Sequence, residues 1–189
     1  MLSAAAAQFI QLGFERTSVE AVAQASGVSK MTVYSYFPSK EALFEACIED
    51  RCCGLFDIFI NAGVDPAQPQ AALERIGTLF LALLREDDVL AMHRMMFASA
   101  TVHPDVSAFF YQLGPAKSLN HLEQFLSASV ACGSLAVPDP ARAADQFLSM
   151  FLGSGHMRAM LGMGKPDAIE DARIVADNVA TFLRAYAPV

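Results

Sequence analysis

Apolar residues along this chain recur at intervals of three and four positions, which is the period of one face of an α-helix. The alternating runs of β-branched residues that typically form strands are not found. Clusters of glycine and proline divide the helical pattern into segments. These segments predict an all-α fold of about nine helices, at roughly 2–12, 17–26, 29–36, 39–61, 69–85, 88–101, 105–133, 140–163 and 167–186.

Residues with strong preferences for helix ends mark several of these boundaries. Gly13 is expected to end the first helix in a left-handed conformation, with Phe14 packing back on that helix. Thr17, followed three residues later by Glu20, is typical of a capping box and is expected to begin the second helix. Ser39 is expected to cap the fourth.

The second and third predicted helices are joined by a short turn that contains Gly27, as in a helix-turn-helix. Ala23 would let the two helices approach closely, and Gly27 permits a positive φ in the turn. Val22, Val28 and Val33 would close a small core. Helical hairpins that do not bind DNA share this spacing, so the side chains of the third helix decide the interpretation.

The third helix carries more aromatic and polar side chains than its packing requires. A short helix of this kind can lie in the major groove of DNA, where its side chains reach base edges and the flanking phosphates. The residues expected at base edges are Lys30, Met31 and Tyr34, and those expected at phosphates are Thr32, Tyr36 and Lys40.

The charge of the chain limits how it can bind DNA. The formal net charge is -7, and residues 1–50 hold three basic and six acidic side chains, for a net charge of -3. Neutralisation of phosphates by Lys and Arg supplies most non-specific DNA affinity. Affinity must therefore come from the placement of a few basic groups. The alternative is a helix-turn-helix kept only as a scaffold.

Three segments in the first fifty residues resemble the TetR family of bacterial regulators nearly position for position. They are Gly-Phe-Glu-Arg-Thr-Ser-Val at 13–19, Gly-Val-Ser-Lys at 27–30, and Val-Tyr-Ser-Tyr-Phe-Pro-Ser-Lys-Glu-Ala-Leu-Phe at 33–44. The resemblance implies a DNA-binding domain over residues 1–45 and an effector-binding and dimerisation domain over 46–189. It puts Lys30, Met31 and Tyr34 at the family's base-facing positions, and Ser18, Thr32, Tyr36 and Lys40 at its phosphate-facing positions. Family members usually carry Arg or Lys ahead of the first helix, whereas this sequence begins almost within that helix.

Segments 109–116 and 144–148 resemble the AefR-like group of TetR C-terminal domains, which implies a variable small-molecule pocket. Seven of the nine methionines lie from Met92 to Met163, interspersed with phenylalanines. Most are expected to be core residues, but Met and Phe also suit an adaptable apolar cavity. The residues predicted to bind a small apolar effector are Met92, His93, Met96, Phe97, Phe110, Tyr111, His121, Phe147 and Phe151.

The composition predicts apolar surface beyond a single core, because 54% of the residues are hydrophobic and only 17% are charged. The last two predicted helices carry apolar stripes broader than one packing partner requires, and Gly153 and Gly155 would allow close approach. Paired with the same two helices of a second subunit, they would form a four-helix interface. The residues predicted there are Met150, Ser154, Met157, Leu161, Val175, Val179 and Phe182.

Several other classes of protein are disfavoured. No apolar run approaches the length of a membrane span, and the N-terminal residues lack the basic start of a signal peptide, which predicts a cytoplasmic protein. The histidines have no metal-ligand spacing, so no metal or cofactor is expected. No catalytic motif appears, and an enzyme that depends on these histidines ranks last.

Cys47, Cys52 and Cys53 fall on one predicted helix and are expected to be reduced, with a redox switch at Cys52 and Cys53 as the alternative.

Together these features predict a homodimeric, ligand-responsive transcriptional regulator, in this family most often a repressor, that binds a pseudo-palindromic DNA operator. Effector binding among the middle helices is expected to displace the fourth helix, which joins both domains. The displacement would change the separation of the two recognition helices. The alternative is a helical small-molecule-binding protein whose DNA-binding domain is vestigial.

Overall fold

The computed structural model describes the backbone of residues 1–60 and 63–188, and the side chains of 1–50 and 63–188. Within these ranges the chain forms eleven α-helices and no strand, which confirms the all-α prediction. No described helix has the length and apolarity of a membrane span. The helices are α1 Leu2–Arg16, α2 Val19–Ser26, α3 Lys30–Tyr36, α4 Lys40–Ile60, α5 Pro69–Arg85, α6 Asp87–Ser99, α7 Pro104–Leu113, α8 Pro115–Ala131, α9 Pro140–Ser149, α10 Ser154–Met160 and α11 Ala168–Tyr186.

Two of the predicted helices are each divided in two. The segment 105–133 breaks at Gly114, whose φ of -111° and ψ of -88° are not helical, because the Pro115 ring disfavours the α conformation of the residue before it. The segment 140–163 breaks between α9 and α10, where Gly153 is extended at φ -70° and ψ -161°. Glycine has little preference for a helix interior, so the break costs little there.

The ends of the N-terminal helices differ from the prediction at two residues, Gly13 and Thr17. Gly13 has a φ of 81° and kinks α1, which continues for one further turn. Thr17 does not cap α2: its hydroxyl is buried and donates to the carbonyl oxygens of Gln8 and Gly13. Ser18 is the cap, and its Oγ accepts the Ala21 amide at 3.1 Å. The prediction missed by one residue because the Thr17 hydroxyl found acceptors in α1.

Packing divides the chain into two compact units, Met1–Leu55 with Ala91–Pro115 and Phe56–Leu90 with Ala116–Val189. The first unit therefore holds α7 and most of α6 together with the predicted DNA-binding domain. The second holds α5 and the C-terminal helices. The predicted boundary between residues 45 and 46 stays a prediction. The side chains of Cys52 and Cys53 lie outside the described residues, and with them the suggested redox switch.

Three phenylalanines form the aromatic centre of the first unit. Phe9 stacks on Phe14 at 5.8 Å between ring centroids, and Phe44 meets both edge-on at 4.7 and 5.1 Å. All three are fully buried. Edge-to-face pairs at this spacing add to the stabilisation that burial provides. The expected return of Phe14 onto α1 is thus confirmed, and Phe44 ties the start of α4 to the same cluster.

The core of the second unit is built around Phe147 of α9. Its ring lies edge-on to Phe151 at 5.2 Å and to Phe182 of α11 at 5.0 Å. Helix α11 packs along α5, and Gly77 permits this approach. A Cβ on Gly77 would lie 2.8 Å from Cζ of Phe151 and 3.4 Å from a methyl of Val175. Even one added carbon would therefore require the buried Phe151 ring to move.

Polar contacts join the end of α5 to α11 in the same unit. The Arg85 guanidinium donates to both carboxylate oxygens of Asp171, with its shortest contact at 2.9 Å. Lys165 donates to the Arg85 carbonyl and to Asp87, each at 2.9 Å. A Cβ on Gly155 would lie 2.8 Å from the Pro166 ring. The close approach that Gly155 permits is therefore to Pro166, within the same unit.

Burial in α10 gives His156 a pH-dependent effect on stability. Burial lowers the pKa of this imidazole, and the charge of Arg85 lowers it further. The unfolded chain therefore binds the proton more readily. We expect the free energy of unfolding to fall as the pH drops from about 6.5 towards the lowered pKa. Urea unfolding at about pH 7.5 and about pH 5.5 should show a smaller loss in His156→Asn than in the wild type. Equal losses in the two proteins would contradict this assignment.

Candidate nucleic-acid interface and effector region

Helices α2 and α3 form the predicted helix-turn-helix. The two helices pack against each other, and Val22 and Ala23 of α2 and Val33 of α3 are buried. Gly27 ends α2 with φ 68° and ψ 25°, the left-handed conformation that glycine adopts most easily. Ser29 then caps α3 by accepting the Thr32 amide at 3.0 Å. Local residue preferences and a small apolar core therefore place α3 at the surface.

Helix α3 presents three large side chains to solvent. Met31 is 83% exposed, Tyr36 69% and Tyr34 43%. Val33 is the buried residue of this helix. Large apolar side chains exposed together on a short helix are typical of a surface that meets a partner. The geometry fits the predicted insertion of α3 into a groove.

Lys30 is held by a partner that the sequence did not indicate. Its ammonium contacts the Glu20 carboxylate of α2 and lies 5.7 Å from the centroid of the Tyr34 ring. The hydrogen bond between the Lys30 ammonium and the Glu20 carboxylate lowers the pKa of Glu20 and raises the pKa of Lys30. Both side chains are about half exposed. A phosphate or base that binds Lys30 would therefore compete with Glu20.

The hydroxyl residues predicted at phosphates are exposed or half-buried. Ser18 is exposed, and its Oγ accepts the amide that caps α2. The Thr32 hydroxyl lies 2.8 Å from the Ser29 hydroxyl. Each hydroxyl has further hydrogen-bonding capacity, so both remain candidates for phosphate contact.

Lys40 lies differently from the expected phosphate contact. Its ammonium donates to the carbonyl oxygens of Phe14 at 3.0 Å and Glu15 at 3.3 Å, and it sits 4.4 Å from the centroid of the Phe14 ring. These carbonyls belong to the last turn of α1, whose oxygens have no partner within the helix. In this arrangement Lys40 caps α1, and a phosphate contact would require its ammonium to leave these oxygens.

The residues predicted to bind an effector fall in both packing units. His93 of α6 meets the Phe110 ring of α7 edge-on at 5.6 Å. Phe97 is 74% exposed, whereas Phe147 is fully buried in the core of the second unit. The first unit holds Met92, His93, Met96, Phe97, Phe110 and Tyr111, and the second holds His121, Phe147 and Phe151.

The residues predicted at a dimer interface divide by exposure. Met157 and Leu161, on and just after α10, are 58% and 67% exposed, Ser154 is exposed and Met150 is half-buried. The remaining three point into the core of their own unit instead: they are Val175, Val179 and Phe182 of α11. The inward face of α11 is covered by α5 and α9, so these three present little surface to a second copy.

Among the residues whose side chains are described, no cluster of three His, Cys, Asp or Glu side chains has the geometry to hold a metal ion. The sequence also missed the contact between His103 and Glu15, which lie 88 residues apart. A contact over that separation leaves no periodic or motif signal.

The comparisons with known proteins cover most of the chain. Residues 1–47 match the family model described as bacterial regulatory proteins, tetR family. Residues 71–188 match the model described as AefR-like transcriptional repressor, C-terminal domain. The RutR transcriptional regulator of Escherichia coli K12 is 37% identical over 89 residues, which cover 46% of this chain and 40% of RutR. The nucleoid occlusion factor SlmA of Glaesserella parasuis is 31% identical over 102 residues, 52% of this chain and 50% of SlmA. The chain thus spans about half the length, or less, of these curated relatives.

Solved structures match over nearly the full length. The flavonoid-responsive regulator FrrA has a TM-score of 0.83 and 32% identity, covering 99% of this chain and 95% of its own. The SmeT–triclosan complex has a TM-score of 0.75 at 23% identity, covering 98% and 89%, and shows a common fold. With a helix-turn-helix at its start and a matched family model over most of the remainder, the chain belongs to the TetR family of transcriptional regulators, with an AefR-like C-terminal domain.

Proposed function

We propose that this protein is a homodimeric repressor that binds a pseudo-palindromic operator through α3 and leaves it when a small apolar effector binds. The observation that carries the proposal is the exposure of the Met31, Tyr34 and Tyr36 side chains on the second helix of a helix-turn-helix. Helices in this position lie in the major groove, with side chains at base edges. The protein would act in the cytoplasm, where the chromosome lies, and would catalyse no reaction.

A small apolar effector is supported by the composition of α6 and α7. Met92 and Met96 are buried, while His93 and Phe110 are half-buried and in ring contact. Adaptable methionines with a few polar groups suit varied apolar ligands. FrrA is described as flavonoid-responsive, and SmeT has been solved with triclosan. We infer an effector of the same general character, a small aromatic molecule.

Dimerisation is supported by the apolar side chains that α10 and the following turn leave exposed. Met157 and Leu161 are a helical turn apart, and both are mostly exposed. A second copy that pairs α10 and α11 with the same helices would bury them. The two α3 helices of a dimer read two half-sites, so their separation decides whether an operator fits. We propose that the effector changes this separation by displacing α4, whose residues belong to both packing units.

The test begins with the DNA that the purified full-length protein retains from a fragmented genome. We expect operator binding that weakens steeply with salt. Tyr34→Ala should weaken it about tenfold without changing the salt dependence, because a base contact is lost. Lys30→Ala should weaken binding by a similar factor and relax the specificity at the base that Lys30 contacts. Fluorescence anisotropy at several salt concentrations measures both.

A control variant, Val130→Ala, removes exposed apolar surface from α8, a helix with none of the residues proposed to contact DNA, and should bind DNA as the wild type does. If no fragment is enriched over a non-specific duplex at low salt, the proposal is wrong.

The rival function, small-molecule binding by a protein with a vestigial DNA-binding domain, is favoured by the net charge of -3 over residues 1–50. It predicts effector affinity without any specific operator.

Glu20 is expected to restrain DNA binding. In Glu20→Gln the Lys30 ammonium loses its anionic partner, and a negative charge disappears beside the phosphates. We expect operator affinity to rise about two- to fivefold at low salt, a modest change because exposed ion pairs are weak. Glu74→Gln makes the same chemical change on α5, where Glu74 accepts a hydrogen bond from Gln70, and should have no effect. Unchanged or weaker binding by Glu20→Gln would contradict competition for Lys30.

A further inference from the structure

The side chain of His103, in the turn between α6 and α7, contacts the end of α1. Its ring meets the Phe14 ring edge-on, with 4.5 Å between centroids. Its Nε2 contacts the carboxylate of Glu15. This hydrogen bond holds the pKa of Glu15 below its ordinary value, with smaller contributions from the charges of His103 and Lys40. His103 thus contacts two consecutive residues of α1, Phe14 and Glu15, from a distant part of the chain.

The same two residues are also held from the start of α4. Lys40 donates to the carbonyl oxygens of Phe14 and Glu15, and its ammonium lies over the Phe14 ring. Phe44 of α4 also packs edge-on against the Phe14 ring, with 5.1 Å between centroids. The dipeptide Phe14–Glu15 is therefore the point where α4 and the α6–α7 turn both contact α1.

The backbone around this dipeptide leads directly into the helix-turn-helix. Gly13, with φ 81°, separates the last turn of α1 from the rest of the helix. Thr17 follows, anchored through its hydroxyl to Gln8 and Gly13, and Ser18 caps α2. Segment 14–17 leads directly into α2, and α2 packs on the recognition helix α3. We therefore expect a shift of segment 14–17 to move α3.

The helices on either side of His103 carry six of the nine residues predicted to bind an effector. Four are on α6 and two on α7, and all six lie in the same packing unit as the helix-turn-helix. His103 stands at the N-terminal boundary of α7, where its carbonyl accepts the Ser107 amide at 3.2 Å. Few bonds separate the His103 ring from α6 and α7, so a displacement of either helix also moves this ring.

We propose that His103 is a positioning residue that couples α6 and α7 to the helix-turn-helix by holding Phe14 and Glu15. The coupling rests on the proposed function, since it matters only where the orientation of α3 controls operator binding. His103 contacts neither DNA nor effector in this scheme. It transmits a shift in α6–α7 to the last turn of α1, and from there to α2 and α3.

The first experiment needs neither DNA nor effector. Hydrogen exchange of the full-length protein should show amides in segment 16–21 exchanging at least about fivefold faster in His103→Ala than in the wild type. His103→Gln retains a donor for Glu15 and should restore part of the protection. Asp105→Asn, an exposed change two residues away, should leave segment 16–21 unaffected. Unchanged exchange in His103→Ala would overturn the proposal, as would faster exchange spread evenly over the whole unit.

The second experiment is a double-mutant cycle on operator affinity. His103→Ala and Glu15→Ala should each change the affinity about three- to tenfold, and the double variant should change it no more than the larger single effect. Independent effects that multiply would overturn the coupling. If the wild type binds no operator, the proposed function fails while the exchange experiment still decides the contact. If His103→Ala does not fold, His103→Phe, which keeps a ring against Phe14 and removes the hydrogen bond to Glu15, takes its place in the cycle.

Discussion

Replacing Phe147 with alanine is expected to lower the free energy of unfolding by about 3–5 kcal/mol. The side chain is fully buried, and its ring meets Phe151 and Phe182 edge-on. Its removal leaves a cavity between α9 and α11 that rigid helices fill only in part. Urea unfolding followed by circular dichroism at a fixed protein concentration measures the loss, since an oligomer's stability depends on concentration.

The matched control for this change is Phe97→Ala, which removes the same side chain from α6. Phe97 is mostly exposed, so its loss should cost less than about 0.5 kcal/mol. Losses of similar size at the two positions would contradict the core role of Phe147. If Phe147 also contacts an effector, as the sequence predicted, the Phe147→Ala variant should lose effector affinity at a temperature where it remains folded.

Replacing Leu161 with aspartate is expected to convert the proposed dimer into monomers. A second copy that covers Met157 and Leu161 would have to bury the new carboxylate without a partner, which is costly. Without a dimer the two half-sites are bound independently, so operator affinity should fall about 10²- to 10⁴-fold. Sedimentation equilibrium gives the oligomeric state, and anisotropy on operator DNA gives the affinity.

Val130→Asp introduces the same charge on an exposed apolar position of α8 and should leave the protein dimeric. A Leu161→Asp variant that stays dimeric would move the interface away from α10. The result also bears on the three α11 residues that the sequence predicts at the interface. Because Val175, Val179 and Phe182 are buried in the protomer, changes there should lower stability rather than dissociate the dimer.

Several helix boundaries were predicted correctly where the deciding interaction spans fewer than five residues, although the break that Pro115 causes at Gly114 was missed. Helix α5 begins and ends at the predicted Pro69 and Arg85, because proline favours the first turn of a helix. Ser29 and Ser39 cap α3 and α4 through amides three residues on. The prediction failed at Thr17, whose hydroxyl bonds instead to Gln8, nine residues earlier. A competing acceptor outside the local window cannot be read from a capping motif.

Side-chain partners depended on packing that local patterns do not report. The exposed face of α3 followed from its short sequence, but the capture of Lys30 by Glu20 and of Lys40 by α1 did not. Apolar periodicity predicted that α11 has a broad apolar stripe. It did not show that α5 and α9 cover this stripe, which removes three residues from the proposed interface.

The sequence by itself determined the all-α class, the helix-turn-helix and the family, because helical period, caps and short motifs act over a few neighbouring residues. Only the tertiary structure decided which polar groups pair. His103 and Glu15, 88 residues apart, meet because the α6–α7 turn and the kinked end of α1 belong to one packing unit. Contacts of that kind arise from the closure of long chain segments around a common core, so no local pattern encodes them.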